Sequence, residues 1–235
     1  MCVEIREDEV IDTIISPRLK VIQKRKGPKF AVDAVLLARF AKVSSGDKVV
    51  DLGTGTGVIP LILAYTTGAG RIIGVEIQRE LVNMARRSVL LNGFQGRISI
   101  LEGDVRRVAD LLPAGRFDVV TCNPPHRSPE TGRMSPNPAI AISRHEILGK
   151  LKDFVAAAGY LLKNRGRAVF VHRPDRLADL LELFQSEGIT PKKLRFVHPR
   201  TDRNAELLLL EGIKRAGEGM IVLPPLFLIS GEEGS

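Results

Sequence analysis

The sequence predicts a doubly wound α/β fold with a mostly parallel sheet and a C-terminal antiparallel hairpin. Three observations predict it. From Val49 onward, short β-rich runs alternate with helical patterns. A glycine-rich turn, Gly53-Thr54-Gly55-Thr56-Gly57, follows the first of those runs and leads into an apolar helix. Two further β-rich runs come one after the other at the C-terminal end.

The elements follow in order. Lys48 to Asp51 reads as the first strand of the sheet, and the helix after it begins at Val58. Arg71 to Glu76 is the second strand. Arg79 to Asn92 has one polar face and is stopped by Gly93. Ile98 to Leu101 is the third strand, ending near Gly103-Asp104, and Phe117 to Cys122 is the fourth. Residues 147–162 read as helix, Arg167 to Val171 as the fifth strand and Leu177 to Gln185 as helix. Lys193 to Val197 and Glu206 to Leu210 form the hairpin, joined by the polar loop Pro199 to Ala205. Residues 220–229 contain Pro224-Pro225 and suit a sheet edge, because proline cannot donate to a central ladder. Upstream, Leu19 to Gln23 is strand-like and Val32 to Phe40 is an apolar helix. Residues 1–45 are therefore expected to be an extension packed on a domain of residues 46–235, within one structural domain.

Composition narrows the class. The 235 residues are 44% hydrophobic and 26% charged, as in ordinary globular proteins. No apolar run has the length of a membrane span, and the acidic start Met1 to Asp8 lacks a signal-peptide core, so a cytoplasmic protein is expected. Two cysteines, Cys2 and Cys122, are too few for a disulfide framework or a cysteine-rich zinc site, and no metal is expected. Cys122 lies in an apolar run and reads as a buried thiol. The net charge of +8 suits a polyanionic partner, although solubility alone can account for such a charge.

Ligands of open α/β sheets bind at the carboxyl ends of the strands. The turn at Gly53, Gly55 and Gly57 stands at such an end, where glycine lets the backbone approach a ligand. Its spacing is not Gly-x-Gly-x-x-Gly, since position 58 is Val, which argues against a dinucleotide. Asp51 would repel phosphates but suits a zwitterionic amino-acid moiety and a sulfonium. Glu76, ending the second strand, can accept from two ribose hydroxyls. Asp104, after the third, can accept from an adenine amine. Any one of these acids alone could be an ordinary loop carboxylate. Three at successive strand ends weigh against that.

The turn resembles the cofactor loop of methyltransferases that use S-adenosylmethionine, and Asn123-Pro124-Pro125-His126 resembles the loop of amino-methyltransferases that grips a planar NH2 group. In that motif the Asn side-chain oxygen and the first proline carbonyl accept from the two amine hydrogens and aim the nitrogen lone pair at the methyl group. His126 stands where the motif usually has Tyr or Phe; imidazole can still stack on a base. The resemblance implies a Rossmann-like class I methyltransferase fold. Its sheet has seven strands, and a hairpin follows the fifth.

The chain as a whole resembles bacterial methyltransferases that modify N6 of an adenine beside the anticodon of a valine tRNA. The resemblance is carried by residues 23–27 and 30–38, by the two motifs above, and by Ser143-Arg144-His145-Glu146. It continues through His172-Arg173-Pro174, His198-Pro199 and Pro224-Pro225-Leu226. It implies S-adenosylmethionine as methyl donor, S-adenosylhomocysteine as product, and Asp33 near the cofactor at the mouth of the site. An RNA partner, expected to be tRNA, gives roles to two basic groups. Lys24, Arg25, Lys26 and Lys29 could hold the flanking backbone, and Arg127, Arg133, Arg144 and His145 could reach phosphates or the base from the segment 127–144. Read singly, most of these arginines are solvated surface charges. Monomer and homodimer both stay open. Three other readings compete with the tRNA reading: glutamine N5-methylation of a translation factor, guanine N2-methylation of ribosomal RNA, and a non-catalytic RNA-binding protein on a methyltransferase scaffold. The charge argues against the first, the short build against the second, and Asp51, Glu76 and Asn123 against the third.

Overall fold

The computed structural model describes residues 3–26, 32–124 and 149–228. Strands β1 (Glu9–Thr13) and β2 (Lys20–Lys24) form an antiparallel pair of their own, with Glu9 opposite Lys24. Helix α1 (Val32–Phe40) follows. Then β3 (Lys48–Leu52), α2 (Val58–Thr66), β4 (Arg71–Glu76), α3 (Arg79–Leu91), β5 (Ile98–Glu102) and β6 (Phe117–Cys122) alternate as expected. The remaining elements are α4 (Leu151–Leu161), β7 (Leu162–His172), α5 (Leu177–Ser186), β8 (Ile189–His198), β9 (Leu207–Lys214), β10 (Ile221–Val222) and β11 (Leu226–Phe227).

The main sheet runs β10-β8-β9-β7-β6-β3-β4-β5, with β11 also on β8. β9 is antiparallel to both its neighbours and every other pair is parallel. From β3 the order runs out through β4 and β5 on one side and through β6 and β7 on the other. The crevice at the carboxyl ends of β3 and β6 is thus the switch point where such sheets bind ligands.

Alternation along each strand supplies two cores. Val49 faces a layer of α1, α2 and α3 that includes Leu37, Leu61, Ile62 and Ala85. Val50 and Leu52 face a layer of α4 and α5 that includes Val155, Leu161, Leu180 and Phe184. Phe170 of β7 meets Phe184 edge-on, with ring centroids 5.2 Å apart. Among the described residues no helix is long and apolar enough to cross a membrane.

Four differences from the sequence reading have physical causes. Among the described residues nine strands join the main sheet where seven were expected: the seven of the core plus β10 and β11. These are two-residue strands separated by Pro224-Pro225, where a ladder cannot continue. The helix expected over 147–162 begins only at Leu151. Lys150 is extended, and its N–H donates to the Asp153 carboxylate at 2.8 Å, capping the first turn. The chain leaves α4 directly into β7, which is longer than the stretch from Arg167 to Val171. Finally, β1 carries Glu9 and Asp12, acids that obscure its strand character in the sequence.

The β1–β2 pair is fastened along α3. Ile22 N–H donates to Ser88 Oγ at 2.9 Å and Lys20 N–H to Asn92 Oδ1 at 2.9 Å, with the Asn92 amide donating back to Lys20 O at 2.7 Å. Arg87 forks onto the buried Glu9 carboxylate at 2.6 and 2.5 Å. α1 packs on α2 and against β7 and β9.

Candidate active site

The turn after β3 has three left-handed glycines, Gly53 at φ 69°, Gly55 at 57° and Gly57 at 84°. Side chains there would be strained. The turn is held from the neighbouring strand. Gly53 and Thr54 N–H donate to Val75 O at 2.9 and 3.0 Å, and Gly55 N–H donates to Glu76 Oε2 at 3.0 Å. The other oxygen of Glu76 accepts from Gln78 N–H at 2.9 Å. Glu76 therefore shapes both the glycine turn and the β4–α3 turn. It is 5% exposed; burial raises its pKa, and the N–H groups of Gln78, Gly55 and Ile77 oppose the rise.

Asp51 lies behind that turn, fully buried. One of its oxygens accepts from the Thr121 hydroxyl at 2.7 Å. Burial pushes its carboxyl up to about 7; the Thr54 and Thr121 hydroxyls draw it back, and the nearby Glu76 charge adds to the rise. The Thr54 hydroxyl acts by proximity, because neither Asp51 Oδ2 nor Thr54 Oγ1 makes a hydrogen bond of regular geometry among the described residues. Cys122 is buried as read from the sequence, and desolvation together with the Asp51 charge holds its thiol well above the ordinary range.

A cleft with about 630 Å³ of empty space, open to solvent at its mouth, lies over these strand ends. Its walls bring together Gly53, Gly55, Glu76, Asp104 and Asn123, from the ends of β3, β4, β5 and β6. Ile77, Gln78 and Leu81 add the wall of the β4–α3 turn; Gly103 and Val105 add that of the turn after β5. Gly149 and Phe154 close the far side. Of these added residues, Phe154 stands within 3.3 Å of where a Cβ on Gly53 would sit. In the sequence they read as spacer or core. The only signal for them is their place one to five residues past a strand end or at the start of a helix.

Asn123 follows β6 and is half-buried. Its Oδ1 is buried and accepts no hydrogen bond among the described residues. Pro124, next in the chain, is buried. Asp104 lines the cleft, but its carboxylate is forked by Arg106, Nε to Oδ1 and Oδ2 at 3.0 and 2.9 Å, and is held below the usual range by that contact. Asp33 is buried in the first turn of α1, accepts from Ala34 N–H at 2.9 Å, and is not among the residues that line the cleft.

The basic cluster is only partly available. Lys24 pairs with Asp8 and, at 2.5 Å, with Glu80. Arg25 donates from Nε to Glu7 O at 3.1 Å, and Lys26 is exposed. Since Glu80 adjoins Leu81 of the cleft wall, the cluster stands beside the cleft. Lys29, Pro125, His126, Arg127, Arg133, Arg144 and His145 lie outside the described residues. Among the described residues no group of His, Cys, Asp and Glu is suited to hold a metal ion.

Residues 43–187 match the sequence profile of a family described as "Methyltransferase domain". The chain is 30% identical over 200 residues to the tRNA1(Val) (adenine(37)-N6)-methyltransferase of Aeromonas salmonicida, covering 83% of this chain and 82% of that one. It is 29% identical over 189 residues to the enzyme of the same name from Porphyromonas gingivalis W83, covering 78% and 73%. The crystal structure of a predicted O-methyltransferase from Agrobacterium tumefaciens superposes with a TM-score of 0.71 at 25% identity, covering 86% of this chain and 89% of that one.

Proposed function

This chain belongs to the methyltransferase-domain family and, within it, to the tRNA1(Val) (adenine(37)-N6)-methyltransferases, and from that membership we propose that it transfers a methyl group from S-adenosylmethionine to the N6 amine of an adenine beside the anticodon of a tRNA. One observation carries the reading. Asn123 presents a buried acceptor oxygen, with no partner among the described residues, on the wall of the same cleft as the buried carboxylate of Glu76.

The residues fit the cofactor. Glu76 is placed to take ribose hydroxyls. The glycine turn, its N–H groups committed to Val75, Glu76 and Thr54, offers close backbone approach to the amino-acid end, and the charge of Asp51 behind it suits a cationic ligand. Ile77, Leu81, Val105 and Phe154 offer apolar surface to an adenine ring, and Asp104 can take its amine. When bound, S-adenosylmethionine supplies an electrophilic methyl group on a sulfonium.

The protein's own part is positioning. The target base leaves its stack, as chemistry on a base requires. Asn123 Oδ1 and the Pro124 carbonyl accept the two amine hydrogens, which fixes the amine plane and turns the nitrogen lone pair toward the methyl group. The ring of Pro124 fixes its φ and the proline that follows it restricts its ψ, so the carbonyl does not drift. His126 is assigned the stacking position against the base. No strong base is required, because the nitrogen loses its proton after it has become cationic. The acceleration then comes from orientation and electrostatics. Offering labelled donor with unmodified tRNA or with a release-factor protein tests the assignment. Label in tRNA supports it, and label in protein glutamine replaces it.

A further inference from the structure

A second polar cavity lies across the β4–α3 turn from the cleft. Its walls include Arg6, Arg79, Arg86, Asn83, Glu80 and Glu102. It shares walls with the cleft through adjacent residues: Gln78 lines one cavity and Arg79 the other, and Gly103 and Glu102 divide in the same way. Its walls carry three guanidiniums against the carboxylates of Glu80 and Glu102, and Lys24, shared between Glu80 at 2.5 Å and Asp8, adds no net charge, so the groove is left positive by one charge.

All three arginines are exposed; the backbone fixes where Arg6 and Arg79 start, and the Arg86 side chain is itself tethered. Arg6 sits in a tight turn in which its N–H donates to Glu9 Oε2 at 2.9 Å and its carbonyl accepts from Glu9 N–H at 3.0 Å. The Glu9 carboxylate is in turn locked by the Arg87 fork. Arg86 is tethered by one nitrogen to Ile100 O at 3.0 Å. Arg79 is the first residue of α3, where the helix dipole adds positive potential. Guanidiniums on a concave polar wall are suited to phosphodiesters.

We propose that this groove holds the sugar–phosphate backbone of the RNA strand flanking the target base, with Arg6 and Arg79 contacting phosphates. The proposal rests on the tRNA reading above. It places the bound strand across the β4–α3 turn, from the groove to the mouth of the cleft.

The test uses the full-length protein with Arg6→Glu, Arg79→Glu and the pair, alongside Arg71→Glu as a control at the opposite, amino end of the sheet. Arg79→Gln serves as a milder variant, and melting temperature checks folding. The readouts are tRNA binding against salt concentration and, separately, methyl-transfer kinetics. The double variant is expected to flatten the log–log salt slope by about two, as two lost phosphate contacts require, and to raise the KM for tRNA by roughly tenfold or more. Its kcat and its affinity for S-adenosylhomocysteine should stay within about twofold of wild type. A salt slope equal to that of the wild type or the Arg71→Glu control, in a folded protein, overturns the groove. If the wild type binds tRNA with the predicted sensitivity to these variants but does not methylate it, the groove stands and the reaction assignment falls. If the wild type neither binds nor methylates tRNA, both fall.

Discussion

The Glu76 carboxylate accepts the Gly55 N–H at 3.0 Å, so the acid that ends β4 fixes the glycine turn that ends β3. Its second oxygen is committed to Gln78 N–H at 2.9 Å. A carboxylate can satisfy both N–H groups and still accept from a ligand. A carboxamide cannot, because its NH2 end must face one of the two donors.

Glu76→Gln is therefore expected to behave nearly as badly as Glu76→Ala. Each should weaken S-adenosylhomocysteine binding by roughly tenfold to a hundredfold, since a hydrogen bond to a charged group contributes about 1.5–3 kcal/mol. Calorimetric titration of the two variants checks this. A glutamine variant that binds like wild type would remove the turn-shaping role.

Asn123→Ala should lower kcat by about a hundredfold or more, on the scale of losing one preorganised polar contact to the reacting group. Cofactor affinity should change less than about threefold, because glycine-turn and Glu76 contacts are untouched. Parallel single-turnover and binding measurements separate the two effects.

Asp51 gives a pH dependence whose sign is opposite to that of most paired carboxylates. Its folded pKa, about 7, lies above its ordinary value of 3.8. Between those values the unfolded chain releases the proton and the folded one keeps it, so the contribution of Asp51 to stability falls as pH rises from about 4 to about 7. The full fall is on the order of 4 kcal/mol. Glu76, also raised by burial, acts in the same direction. Urea denaturation of Asp51→Asn should show a flatter pH profile over this window than wild type. A cationic ligand favours the ionised carboxylate, so S-adenosylmethionine should bind more tightly as pH rises through about 7.

Glu9 behaves in the opposite way. Arg87 holds its carboxyl below the usual range. Its contribution is therefore complete at neutral pH and is lost as pH falls through that lowered value. Glu9→Gln should cost about 3 kcal/mol, because the half-buried Arg87 is left without its charge partner. Denaturation at pH 7 measures the loss, and early proteolysis before residue 26 would place it in the β1–β2 pair.

The sheet was largely legible because its central strands are apolar on both faces and are punctuated by Gly53, Gly93 and Gly103. The site acids were legible for a related reason: strand ends are where a polar residue breaks an apolar run. Phe154 and Leu81 were not legible, since an apolar residue that faces a cleft has the same pattern as one that faces the core. Nor was the use of Lys24. A basic run read along the chain gives no sign that Asp8 and Glu80, 16 and 56 positions away, neutralise it. The groove of Arg6, Arg79 and Arg86 escaped for the same reason, because only the packing of β1 and β2 on α3 brings Arg6 to the other two.

The most direct test is transfer of labelled methyl from S-adenosylmethionine to bulk tRNA lacking the modification, followed by nucleoside analysis, with Asn123→Ala in parallel. The expected result is N6-methyladenosine as the labelled nucleoside with wild type, and near-background label with the variant. Label in another nucleoside, or none in tRNA while cofactor binding is intact, would contradict it.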